Sequence, residues 1–145
     1  MHNLANDLGC VNVSLLLSIR QSLADWLDGF NWTYFGTFTF RKPVMNPLVA
    51  KSHFEAFLRP FKANYFCAVE RFYLGHECHL HALIFSDAKA RDLWRVWFSR
   101  YGRARVLSFE PSRGAAYYLT KYVTKELCDW DFSFRDQGNL FFKRV

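Results

Sequence analysis

The stretch that most constrains this chain is residues 65–85, YFCAVERFYLGHECHLHALIF. It holds two runs of β-forming residues separated by a break around Gly75, which predicts an antiparallel strand pair. The second run contains His79-Leu80-His81. Strand side chains alternate between faces, so both imidazoles share one face and Leu80 turns to the core. Folding the runs together sets Glu70 across from the histidines. Two imidazoles and a carboxylate make a compact candidate site for a divalent cation with open positions for other oxygens. The same pair also suits a surface position or a structural zinc site.

At 145 residues, the expectation is a single domain spanning 1–145 with its own core. A hydrophobic content of 51% argues against disorder, and sixteen Phe is an unusual number, some suited to the core and some to stacking on bases. The net charge of +6 suits a polyanionic partner, although charge bears on association and not on fold. Cysteines at 10, 67, 78 and 128 form no Cys-x-x-Cys pair, which speaks against a zinc knuckle. Cys67 and Cys78 read as small buried residues, and reduced thiols in a cytoplasmic setting are the simplest account. The apolar run at 11–19 is too short to span a bilayer and lacks a signal-peptide pattern, so no membrane association is expected.

Along the chain, Leu16, Ile19, Leu23, Trp26, Leu27 and Phe30 follow helical spacing from Ser14, with Gly29 as the stop. Residues 31–40, NWTYFGTFTF, read as a strand with Thr37 and Thr39 on one face and Phe38 and Phe40 on the other. A helix follows over 47–62, capped by Asn46 with Pro47 in its first turn. After the strand pair comes a helix over 88–101, with Asp87 as N-cap and Gly102 as C-cap. A strand over 103–109 and a helix over 115–128 complete the main elements, and one or two short strands are expected around Gln137-Gly138-Asn139. The fold class is α+β, with helices packed on one face of a mainly antiparallel sheet.

The helix over 115–128 carries Tyr-x-x-Lys twice, at Tyr118/Lys121 and Tyr122/Lys125. At ~100° per residue, Tyr118 and Tyr122 lie ~40° apart and Lys125 returns to within ~20° of Tyr118. One face thus presents two phenols and two ammonium groups. An ordinary amphipathic helix with solvated lysines fits the same pattern. The reactive alternative is a tyrosine oxygen that attacks phosphorus, its phenolate favoured by a neighbouring ammonium.

Three stretches in order resemble the HUH endonucleases, and within them the rolling-circle replication initiators of plasmids and single-stranded DNA phages. Residues 35–40, FGTFTF, look like motif 1, His79-Leu80-His81 like motif 2, and Tyr118-x-x-Lys121-Tyr122-x-x-Lys125 like motif 3. The resemblance covers about residues 33–128. It implies a ferredoxin-like or RRM-like antiparallel sheet with the histidines on a central strand. It further implies nicking and rejoining of single-stranded or hairpin origin DNA through a 5′-phosphotyrosine, with Mg2+ or Mn2+ as cofactor. Glu70 is then the matching third metal ligand and His76 the next choice. Tyr118 is the expected nucleophile and Tyr122 a second one. No Gly-x-x-x-x-Gly-Lys phosphate loop occurs, so unwinding calls for a host helicase or another part of a longer natural protein, and a host helicase and polymerase are expected partners. Single-tyrosine transposases and relaxases share this chemistry, and a non-catalytic single-strand-binding module is the alternative from another class. Arg41, Lys42, Arg103, Arg105 and Arg113 are the candidate phosphate contacts.

Overall fold

A computed structural model of the protein describes residues 4–72, 74–115, 129–135 and 140–143. Helix α1 (Leu4–Leu27) leads into strand β1 (Tyr34–Thr39) and helix α2 (Pro47–Leu58). Strands β2 (Asn64–Arg71) and β3 (Cys78–Phe85) follow, then helix α3 (Ala90–Arg100), strand β4 (Ala104–Ser108) and strand β5 (Asp129–Ser133). The five strands form one sheet in the order β4-β1-β3-β2-β5, with every pairing antiparallel. The protein is therefore α+β, and the segment from β1 to β4 has the βαββαβ pattern of ferredoxin-like domains. The strand bearing the histidines lies at the centre of the sheet, as expected.

Alternation sorts the strand residues cleanly. One sheet face turns Phe38, Tyr65, Cys67, Val69, Leu80, Ala82 and Ile84 into a core shared with α2 and α3. Phe38, Phe54, Phe57 and Trp97 meet there at ring-centroid distances of 5.1–5.6 Å for the pairs involving Phe38. Such edge-on and tilted contacts add about 0.5–1.5 kcal/mol each beyond area burial. The Trp97 indole donates to the Thr39 carbonyl at 3.0 Å, so the polar end of the largest core side chain is satisfied. Gly36 is required beneath Phe38, since an added Cβ would stand 2.5 Å from its ring. Asn46 caps α2, accepting from the Leu48 amide at 2.9 Å.

Several expectations are corrected. Helix α1 begins at Leu4, ahead of the predicted Ser14. Helices do not occupy one face alone: Leu27 at the end of α1 packs with Trp32, Phe66, Leu83 and Phe141 on the opposite face. The helix after β3 starts at Ala90, with Lys89 at the cap position and no side-chain cap bond, so Asp87 is not its N-cap. Ser86 governs that bend instead, its Oγ accepting from the Ala88 amide at 3.1 Å. Tyr101 is the C-cap of α3. Gly102 follows it where an added Cβ would collide with the Thr39 carbonyl and the Arg41 amide. Close approach of two backbones, rather than helix termination alone, demands that glycine. The tail supplies β5, whose Trp130 pairs with Ala68 on β2. Gln137, Gly138 and Asn139 lie outside the described residues.

Candidate metal centre

The second sheet face carries the site. Pairing of β2 with β3 sets Glu70 opposite His79 and Ala68 opposite His81. Pairing of β1 with β3 sets Thr39 opposite His79 and Thr37 opposite His81. Arg105 on β4 pairs with Thr37, so a polar row runs Arg105, Thr37, His81 across three strands. The period of two places all of these on one face.

One carboxylate oxygen organises the centre. Glu70 Oε2 lies 2.8 Å from His79 Nε2 and 2.9 Å from His81 Nε2. Both imidazoles are buried and Glu70 is partly open, with 28% of its side chain exposed. The three ligand atoms all lie within 4.8 Å of one another, so the group can hold a metal ion. The spacing suits the purpose: bonds of ~2.1 Å at right angles put neighbouring ligand atoms ~3 Å apart. Two imidazoles and one carboxylate leave further positions open.

Without an ion, each Nε2 carries its proton and donates to Glu70. His81 Nδ1 is then an acceptor, 3.3 Å from the Thr37 hydroxyl. Were an ion held by Nε2, the ring proton would sit on Nδ1, and the Thr37 hydroxyl oxygen would accept its hydrogen bond. Thr37 thus supports His81 in either state. Phe72 lies against His79 at a ring-centroid distance of 4.3 Å and shields it from one side. His79 Nδ1 is buried without a hydrogen-bond partner among the described residues. Burial holds the His81 imidazole neutral down to about pH 4, against the raising influence of Glu70. The ring is therefore ready to bind a cation across the neutral range.

The remaining predicted residues fall in different places. His76 sits in the β2–β3 turn with φ 57° and is not one of the three converging ligands. Arg103 and Arg105 are exposed on and beside β4. Arg113 pairs with Glu110 at 2.7 Å in the turn after β4. Arg41 and Lys42 follow β1, and the Arg41 guanidinium donates to the Phe98 carbonyl at 2.7 Å. Tyr118, Lys121, Tyr122 and Lys125 lie outside the described residues. Sequence reasoning had placed Thr37 and Thr39 on one face without assigning Thr37 a partner. It missed Phe72 altogether, which only the turn geometry brings onto His79.

No family model matches the chain, and comparisons with curated proteins and with solved structures return no match. Among the described residues, no helix is long and apolar enough to cross a membrane.

Proposed function

We propose that this protein nicks and rejoins single-stranded DNA through a covalent phosphotyrosine, in the manner of a rolling-circle replication initiator. The observation that carries the reading is the convergence of Glu70, His79 and His81 on one point at the centre of a ferredoxin-like sheet. The strand of the first motif borders it, and the doubled Tyr-x-x-Lys follows in the sequence. A cation held there would withdraw charge from the scissile phosphate. Nitrogen donors favour Mn2+ over Mg2+ at such a site.

The chain's own residues supply the rest. Tyr118 Oη forms a bond to phosphorus as its proton leaves, the bond from phosphorus to the 3′ oxygen breaks, and that oxygen takes up a proton as a free 3′-hydroxyl. Lys121 and Lys125 stabilise the phenolate. Rejoining reverses the exchange, with Tyr122 available for a second strand. Thr37 orients His81, and Arg105 on the same face offers a guanidinium to a neighbouring phosphate. The free 3′-hydroxyl is a primer for a host polymerase, and a host helicase would open the duplex, which places the activity in the cytoplasm.

A denaturing gel tests this. End-labelled single strands tiling the protein's own replicon are incubated with Mn2+ or with chelator. The expected result is a slower, metal-dependent protein–DNA band that is lost in Tyr118→Phe. Loss only in Tyr122→Phe would keep the mechanism and move the nucleophile. Joining to a second strand in trans would favour a transposase or relaxase. The second reading, a non-catalytic single-strand binder, draws on Trp130 and Phe132, 46% and 47% exposed on the site's sheet face. Binding in chelator with no adduct under any condition would select it.

A further inference from the structure

A second feature lies at the same end of the sheet and has no part in the metal centre. The chain leaving β1 passes between α2 and the C-terminal end of α3 and lines a cavity of about 420 Å³. Arg41, Lys42 and Arg100 supply three cations to its wall, and His53, Tyr101 and Phe40 supply rings. Among the described residues, no carboxylate lines it. The volume falls within the ~300–1,000 Å³ of small-molecule sites. The His53 and Tyr101 rings stand 5.1 Å apart, and Phe40 lies 5.8 Å from His53, forming an aromatic wall.

The cations are available to a ligand. Arg41 gives one nitrogen to the Phe98 carbonyl and sits 5.5 Å over the Phe98 ring, leaving other donors of its fork. That bond also answers the negative C-terminal end of α3, which would otherwise repel an anion. Lys42 and Arg100 are exposed, and neither side chain makes a hydrogen bond or ion pair within the described residues. Three like charges gathered without a counter-charge are a cost that a bound anion removes. Rings beside cations suit a base joined to a phosphate, the combination that single-strand-binding surfaces use.

We infer that this cavity holds one nucleotide of single-stranded DNA, its phosphate on Arg41, Lys42 and Arg100 and its base against His53 and Tyr101. Thr39, which faces His79, is two residues from Arg41, about 7 Å along the strand. The cavity lies on the helix-covered side of the sheet, so a strand seated there would pass around the end of β1 to reach the metal centre on the other face. The inference rests on the proposed function for its choice of DNA, but the cavity's chemistry needs neither the metal nor the tyrosines.

The test is run in chelator, where no cleavage can occur. Fluorescence anisotropy measures binding of a 20-nucleotide oligothymidylate as salt is varied. Lys42→Ala/Arg100→Ala is compared with Arg91→Ala/Arg95→Ala, a charge-matched pair on exposed positions of α3 outside the cavity. The cavity variant should lower the slope of log affinity against log salt by up to about 0.7, the value for the one phosphate contact the cavity makes. The control should change it much less. Photocrosslinking with 5-iodouracil in the wild-type chain should mark the peptides bearing His53 or Tyr101. Equal losses in the two variants, or crosslinks confined to other peptides, would overturn the inference. A covalent adduct formed normally by the cavity variant, with unchanged binding, sinks the cavity and leaves the nickase. Loss of binding in a protein that never forms an adduct does the reverse.

Discussion

Removing the Glu70 carboxylate separates the energetics of the centre from those of the fold. In Glu70→Ala the two buried Nε2–H groups lose the oxygen that accepts both, at 2.8 and 2.9 Å. An unsatisfied buried donor costs about 1–3 kcal/mol, so two set a range of about 2–6 kcal/mol. Glu70 is 28% exposed, so water reaches the vacated position and brings the loss in the metal-free protein toward about 2 kcal/mol. The metal side is larger. Losing a group that merely orients a ligand already weakens binding ~10–100-fold, so losing an anionic ligand should exceed ~100-fold. At free Mn2+ 100 times Kd, the wild type should gain about 2.7 kcal/mol of stability, a rise in Tm of roughly 5–10 °C for a chain of this size. Glu70→Ala should gain almost nothing at that concentration. Thermal melts with Mn2+ and with chelator, alongside Mn2+ titration by electron paramagnetic resonance, read both quantities. If Mn2+ stabilises Glu70→Ala as much as the wild type, the three residues are not the binding site and the argument from their geometry fails.

Other perturbations follow from the same structure. In chelator, His81 is neutral when folded down to about pH 4 but titrates near 6.5 when unfolded. The unfolded chain then binds more protons, so stability should fall on acidification from about pH 6.5 to 4, by up to about 1.4 kcal/mol per pH unit; a urea midpoint flat across that window would contradict it. Thr37→Val removes the hydroxyl beside His81 Nδ1 and should weaken Mn2+ binding ~10–100-fold, with Thr37→Ser restoring most of it in the same titration. Gly102→Ala forces a Cβ into the Thr39 carbonyl and Arg41 amide, so it should cost more than the ordinary ~1 kcal/mol of a poor glycine replacement, measured by urea denaturation. Phe38→Ala empties a fully buried position between α2, α3 and the sheet and should cost about 3–5 kcal/mol, checked in the same way.

Much of the centre was legible in the chain itself. His79, Leu80 and His81 are close in sequence, and a strand's period of two decides their faces without tertiary information. Glu70 needed only one further step, a hairpin of nearby residues, and the observed register agrees. Asn46 and Pro47 were readable because caps are local chemistry. Asp87 misled for the same reason: Ser86 two residues before Ala88 competed for that bend, and backbone geometry chose it.

What the sequence by itself determined, then, is set by local rules: the alternation that aligns the two imidazoles, the α+β order of elements, the Gly and Pro that punctuate them. The tertiary structure alone decided which distant segments meet. Thr37 reaches His81 across 44 residues, and Arg41 reaches Phe98 across 57, through strand order and helix placement. The cavity brings the segment after β1 and helix α2 against the end of α3, which is remote from both in the chain. Side-chain pairing between segments is fixed by the shared packing of Phe38, Phe54 and Trp97 in one core. That packing is collective and non-directional, and no short stretch of sequence specifies it.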